Sequence, residues 1–348
     1  MKILAIESSC DETAAAVVED GRQVIQNIVA SSHDMHEKYG GIVPEVAARL
    51  QLESIIPVIT EALLPLKASP DEPMMETIQK NIDAIAVTEG PGLIGSLLIG
   101  VESAKTIAAV TGKPLIPVNH VLAHMYANFV GDSLPAFPAI SLVVSGGHTE
   151  LYHMTSEKNL VWLGGTLDDA AGECFDKTAR LLGFGHGGGV AIQQAASTCI
   201  SSQRLGIHLP RPMLDKKNRL NFSFSGLKTA ILREVTARKE SGAFDESVVS
   251  ELSYEVQETI TDVLVKKTLR AADDLGVRSI LLSGGVSANT RLREKLKEQA
   301  QDYDIFIPPI ELCTDNAVYI ASYAFFKGTP KKWGDVMAIP DLSVEVGI

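Results

Sequence analysis

The sequence predicts an α/β protein built from two related halves, and three observations carry that reading. Strand-like and helix-like runs alternate along the chain, the pattern of α/β architecture. An opening motif recurs: at an offset of 136, Asp11-Glu12-Thr13 falls on Gly147-His148-Thr149, and each triplet follows an apolar strand. Strand–turn–strand at the head of both halves reads as an internal duplication. Finally, 348 residues exceed what one ordinary core organises, so two domains are the default.

The elements follow in order. "KILAIESSCDETAAAVVEDGRQVIQNIVAS" supplies strand-like runs around the turns at Cys10–Asp11 and Glu19–Gly21. "PEVAARLQLESIIPVITEALLPL" reads as helix, with Pro44 near its start and Pro57 as a kink. "PDEPMMETIQKN" is polar and proline-bounded. "IDAIAVTEGPG" is a strand entering a glycine turn, "LIGSLLIGVESAKTIAAVTG" a buried helix, and "KPLIPVNH" a short strand leading into a helix with two histidines. The second half opens near Phe137 with "PAISLVVSGGHTELYHMTSEKNLVWLGGT", again strand, turn, strand, turn, strand. A long amphipathic stretch, "SYEVQETITDVLVKKTLRAADDLG", precedes a buried strand at Ile280–Leu282, a Ser-Gly-Gly turn and a helix starting near Ser287–Asn289.

Composition narrows the class. Hydrophobic residues at 45% and charged residues at 21% describe an ordinary globular protein. The N-terminus lacks a basic stretch followed by a long apolar one, and no apolar run reaches the length of a membrane span, so the chain reads as cytoplasmic with no membrane partner. Cys10, Cys174, Cys199 and Cys313 are scattered without a CxxC, which argues against a disulfide framework or a zinc knuckle. A net charge of −12 argues against a large phosphate-binding surface, so any nucleic acid must meet a local basic patch or a partner. Two segments qualify: Lys216, Lys217, Arg219, Lys228 and Arg233, and Arg291, Arg293, Lys295 and Lys297. Either is equally a solvated face.

Candidate chemistry starts at "VNHVLAHMYAN". His120 and His124 stand four apart, on one face of a helix, where two imidazoles can close on one metal ion. A zinc protease of the H-E-x-x-H type would need a glutamate where this chain has Val121, which cannot accept a proton. Carboxylates available are Asp11, Glu12, Asp176 and Asp315. Asp11 and Glu12 sit in a turn, where a carboxylate can polarise a nucleophile, hold a cation or serve the turn alone. Asp315 precedes an apolar helix and is either its N-cap or the third ligand of a His-His-Asp site, a set that suits Fe(II) or zinc as a Lewis acid. Glycine turns follow apolar strands at 88–96, 144–149 and 282–289, and a fourth lies at 184–189. None is a Walker A loop, but four in one chain favour a bound nucleotide.

Eight segments occur together and in order: "ESSCDET", "GPGLIGSLLIG", "PVNHVLAH", "LVVSGGHTEL", "DDAAGECFDKTARLLG", "FSFSGLKT", "SGGVSAN" and "CTDNA". In sequence and spacing they resemble the TsaD family, bacterial tRNA N6-adenosine threonylcarbamoyltransferases once described as O-sialoglycoprotein endopeptidases. The resemblance runs from Lys2 to about Phe326. It implies the fold of actin-like ATPases and sugar kinases, two duplicated lobes with a nucleotide cleft between them. The lobes would be residues 1–135, completed by a helix at about 315–328, and 136–314, with 329–348 as a tail. The implied reaction moves a threonylcarbamoyl group from threonylcarbamoyl-AMP to N6 of the adenosine beside the anticodon and releases AMP.

Carried over by motif, His120, His124 and Asp315 resemble the metal ligands, with Fe(II) ahead of zinc. Val143, Val144, Ser145, Gly146, Gly147, Asp176, Gly189, Gln193 and Asn289 resemble the positions that bind adenylate, as AMP or threonylcarbamoyl-AMP. Asp11 and Glu12 lie in the motif implicated in transfer. Two departures stand out. "GHGGGV" lacks two prolines common in the family, which loosens that loop. Gln193 replaces an acidic residue, so its contact to a ribose hydroxyl is weaker than a carboxylate's. The family also implies a tRNA substrate, a smaller paralogous subunit (TsaB-like) and a P-loop ATPase (TsaE-like). Competing readings are a metalloprotease, a sugar-kinase-like phosphotransferase and a non-catalytic scaffold.

Overall fold

The computed structural model describes residues 1–32, 42–185, 187–199, 206–214 and 220–347. The chain divides into two compact units. Unit 1 holds Met1–Pro135 and Pro308–Val346; unit 2 holds Ala136–Ile307 and Gly347–Ile348.

Unit 1 is built on a five-stranded sheet of order β3-β2-β1-β4-β5. Its strands are β1 (Lys2–Glu7), β2 (Glu12–Glu19), β3 (Gln23–Ser31), β4 (Ala84–Gly90) and β5 (Leu115–Asn119). β1 pairs antiparallel with β2 and parallel with β4. Central strands are covered on both sides and so carry near-continuous apolar runs. Ile3, Leu4, Ala5 and Ile6 are all fully buried. Leu4 and Ile6 join the cluster of Ile55, Ile59 and Val101, contributed by α1 (Pro44–Ala62) and α3 (Ile94–Thr111). Pro57 lies inside α1, which runs on through it to Ala62. The polar stretch after Pro73 forms α2 (Met74–Asn81), with Lys80 bonding Glu76 one turn back at 2.6 Å.

Among the described residues α3 is the one helix long and apolar enough to cross a membrane. Its Leu97, Val101, Ala104 and Ile107 are buried in the core of unit 1. Short α4 (His120–Ala123) follows β5, and α10 (Val318–Phe326) packs against β1 and β2. The segment assigned to the tail lies along unit 1: Lys331 N–H donates to Leu115 O, Ile339 N–H to Glu89 O, and Val336 is fully buried.

Unit 2 repeats the plan. Its strands are β6 (Ala139–Val144), β7 (Thr149–Met154), β8 (Leu160–Gly165), β9 (Ser279–Ser283) and β10 (Asp304–Phe306), in the order β10-β9-β6-β7-β8. Read from the other edge this is the order of unit 1, with the same antiparallel hairpin and parallel pairs. Around it lie α5 (Ala171–Leu182), α6 (Gly188–Ser197), α7 (Ser225–Glu240), α8 (Glu246–Leu275) and α9 (Thr290–Gln299). Asp245 caps α8 by accepting from Val248 N–H, and Gly276 ends it in the left-handed region. The start of α7 is held from a distance. Asp168 accepts from the backbone N–H groups of Phe224 and Ser225 and from the hydroxyls of Ser223 and Ser225.

Candidate functional site

In unit 1, β5 ends at Asn119, whose side chain accepts from Val121 N–H and Leu122 N–H, both at 3.1 Å, and so starts α4. His120 is the first residue of that helix. His124 already belongs to the tighter 3-10 turn His124–Phe129, so the pair spans the junction of two helix types. The rings still meet, with centroids 4.8 Å apart. Nε2 of His120 lies 3.7 Å and Nε2 of His124 3.6 Å from Asp315 Oδ1. Among the described residues these three form a group whose ligand atoms all fall within 4.8 Å of one another. Asp315 is not the cap of α10: the N-cap position is Ala317, and Asn316 makes the turn ahead of it, accepting from Val318 N–H at 3.0 Å.

Glu7 is a site residue that sequence reasoning missed. It is fully buried at the end of β1 and accepts from Ser9 N–H, from Thr88 Oγ1 and, at 3.1 Å, from His120 Nδ1. Its one signal is a charge closing an otherwise apolar strand. A carboxylate on Nδ1 holds a proton there, and Nε2 faces Asp315. The Nε2 atoms of His120 and His124 and one carboxylate oxygen fit a divalent ion such as Fe(II) or zinc, which would displace the second proton of His120.

Charges in this corner are tightly linked. Burial opposes ionisation of Glu7, but His120 outweighs it and holds the carboxyl below its usual range. Burial also opposes protonation of His120, yet Glu7 and Asp315 push it up to about 9. Burial raises Asp315. Asp11 and Glu12 join the same cluster: burial, then Asp315 and Asp11, push Glu12 up to about 10. Their turn is pinned by Ser32, whose hydroxyl donates to Asp11 O, and by Gln51, whose amide donates to Cys10 O and Glu12 O. Tyr319, fully buried, donates to Asp315 Oδ1 at 3.3 Å and packs on His124.

Unit 2 carries a cavity of about 250 Å³ whose walls include Gly146, Asp176, Gly189, Gln193 and Asn289 of the expected set, joined by Phe175, Gly285 and Val286. Four expected residues are not on its wall. Val143 and Val144 are fully buried within β6, and Ser145 spends its backbone on the turn, where its oxygen accepts from Gly172 N–H. Gly147 follows Gly146 in that turn without forming part of the wall. A side chain at Gly172 would come within 2.6 Å of Ser145 O, so only glycine lets α5 start against this turn. Asn289 and Gln193 serve α9 as well as the cavity: Asn289 Oδ1 accepts from Leu292 N–H and Gln193 Oε1 from Thr290 N–H.

Of the two basic segments, Lys216, Lys217 and Arg219 lie outside the described residues. In the other, the charge is largely spent. Lys295 is buried against Glu258 and Asp262, and Arg291 pairs with Glu258.

Residues 23–322 match the family model described as TsaD, tRNA N6-adenosine threonylcarbamoyltransferase. The chain belongs to this threonylcarbamoyltransferase family. Curated threonylcarbamoyltransferases agree along its length. The one from Symbiobacterium thermophilum is 45% identical, covering 99% of this chain and 97% of its own. One from Dehalococcoides mccartyi is 47% identical over 99% of both. The chain is accordingly a transferase of tRNA modification. Solved structures show the fold. HypF from T. kodakarensis matches at a TM-score of 0.59 and 14% identity over 93% of this chain and 47% of its own. Component A of Acidaminococcus fermentans (R)-2-hydroxyglutaryl-CoA dehydratase matches at 0.50 and 15% identity over 93% and 98%. The architecture is of the actin-like ATPase and sugar-kinase type.

Proposed function

We propose that this transferase takes its threonylcarbamoyl group from threonylcarbamoyl-AMP, held by its adenylate in the unit 2 cavity, and that a metal at His120, His124 and Asp315 assists the transfer. The convergence of the Nε2 atoms of His120 and His124 on one carboxylate oxygen of Asp315, in a chain of this family, carries the reading. The donor is a mixed anhydride with an activated carbonyl. N6 of the adenosine forms a bond to that carbon and loses a proton, the carbon–oxygen bond to phosphate breaks, and AMP leaves. A divalent metal held by His120, His124 and Asp315, Fe(II) ahead of zinc, would supply Lewis-acid chemistry there.

The chain's own groups supply position and polarity. His120 is oriented by Glu7 and Asp315 is held by Tyr319. We assign Asp11 and Glu12 to the transfer: Glu12, kept neutral by burial and neighbouring carboxylates, can donate a hydrogen bond to charge developing on the donor. Gly146, Asp176, Gly189, Gln193 and Asn289 are the adenylate contacts of this reading, with a smaller paralogous subunit and a P-loop ATPase as cytoplasmic partners. A protease reading lacks support, since Val121 is buried and apolar where a base is needed.

The test combines the protein with labelled ATP, threonine and bicarbonate, its partner proteins and unmodified tRNA. The reading expects N6-threonylcarbamoyladenosine in the nucleoside digest and release of AMP. Peptide cleavage, or phosphate transfer to a small molecule without tRNA modification, would replace it.

A further inference from the structure

We infer that Gln257, which lines no part of the cavity, is a positioning residue that decides what Asn289 offers to a bound adenine nucleotide. The inference rests on the nucleotide reading of the unit 2 cavity. Gln257 lies in α8 and is 6% exposed; Asn289, ahead of α9, is 9% exposed. Asn289 Nδ2 donates to Gln257 Oε1 at 3.0 Å.

The direction of these bonds follows from one fixed donor. The backbone N–H of Leu292 can only donate, so the Asn289 atom facing it at 3.0 Å is the carbonyl oxygen. The amide nitrogen of Asn289 must then face α8, and Gln257 must answer it with oxygen. One N–H of Asn289 is spent on Gln257 and the oxygen is spent on α9. What remains for the cavity is a single N–H, a donor for an acceptor atom of the nucleotide.

Without Gln257 the amide would keep its bond to Leu292 N–H but lose the second bond that fixes its plane, and the donor would lose its aim. The bracing does not stop at Gln257. Its neighbour Glu258 accepts from Arg291 Nε at 2.6 Å and from Lys295 Nζ at 2.9 Å, and Lys295 also reaches Thr261 and Asp262. Consecutive residues of α8 thus hold Asn289 and the first two turns of α9 in one register, so Gln257 meets Asn289 at a fixed place.

Calorimetric titration with AMP tests this in the full chain. Gln257→Leu and Gln257→Met remove the acceptor at similar size, and Gln257→Glu keeps one. Either acceptor-free variant should weaken AMP binding about 3- to 10-fold, the worth of one neutral hydrogen bond, while Gln257→Glu stays within about 2-fold of wild type. In an Asn289→Ala background the same substitutions should change nothing further, because the group they position is gone. A variant that fails to fold by circular dichroism is replaced by the other.

Unchanged affinity in a folded acceptor-free variant, or an equal loss in the Asn289→Ala background, overturns the inference and leaves the nucleotide reading standing. Wild-type protein that does not bind AMP overturns both.

Discussion

Glu7 Oε2 stands 3.1 Å from His120 Nδ1, and both side chains are withdrawn from solvent. This contact orients the His120 ring, because the imidazole proton is held on the side facing the carboxylate. Removing the carboxylate frees the ring to rotate and to change tautomer. Glu7→Ala is expected to weaken divalent-metal affinity about 10- to 100-fold, the usual effect of losing such a partner. Glu7→Gln, which keeps an accepting oxygen, should lose less. Competitive titration against a chelating dye measures both, and equal affinities in wild type and Glu7→Ala would remove Glu7 from the site.

The same pair gives metal binding a pH dependence. His120, pushed up to about 9, carries a proton at neutral pH when no metal is bound. With the folded value raised, the stability this proton contributes is complete below the unfolded value of about 6.5 and is lost as pH rises through about 9. A metal must displace it. Affinity should therefore climb as pH rises toward about 9 and flatten above, with close to one proton released per metal at about pH 7.5. Calorimetry in buffers of different protonation enthalpy counts that proton; a count near zero contradicts the assignment.

Asp168 links two stretches far apart in sequence by capping α7 from the turn after β8. Burial opposes its charge, but the hydroxyls of Ser223 and Ser225 and two backbone N–H groups hold its carboxyl below the usual range. Stability from it is fully present above the ordinary aspartate value and is lost as pH falls below that value and through the lowered folded one. Asp168→Ala should cost about 1–2 kcal/mol, the loss of a good helix cap, read from chemical unfolding at neutral pH. The difference from wild type should shrink in acid.

tRNA must find positive charge on a chain of net charge −12. With Arg291 and Lys295 committed to internal ion pairs, Lys216, Lys217 and Arg219 are the better candidates. Neutralising all three should weaken tRNA binding and lower the slope of log K against log salt by about 0.7 to 0.9 per lost phosphate contact, with AMP binding unchanged. An unaltered salt slope would shift the docking surface to a partner subunit.

Much of this was readable in the residues. Apolar runs ending in Ser-Gly or Cys-Asp turns mark β1 and β6, and the repeat of that opening reappears as two sheets of the same strand order. His120 and His124 are visible by spacing, although the 3-10 turn beginning at His124 is not. Three things were hidden, each because it depends on contacts between distant residues. Glu7 looks like the polar end of a strand until His120 is brought beside it. Asp315 could cap a helix or face the histidines, and only the fold brings it within 4 Å of His120 and His124. Gln257 is one of many polar residues on a long helix, and nothing in α8 itself points to Asn289. The stretch Pro70–Asn81 reads only as polar and proline-bounded, because the helix within it depends on i to i+4 pairing and on Thr77 and Ile78 finding the core.

Single-turnover transfer from preformed threonylcarbamoyl-AMP to unmodified tRNA, comparing wild type with His120→Ala/His124→Ala in the presence of the partner proteins, asks whether the His120–His124–Asp315 centre serves acyl transfer. The double variant should bind AMP as wild type does, since that cavity belongs to unit 2, but retain little metal and form little N6-threonylcarbamoyladenosine. Transfer at the wild-type rate by a metal-free double variant would contradict that role.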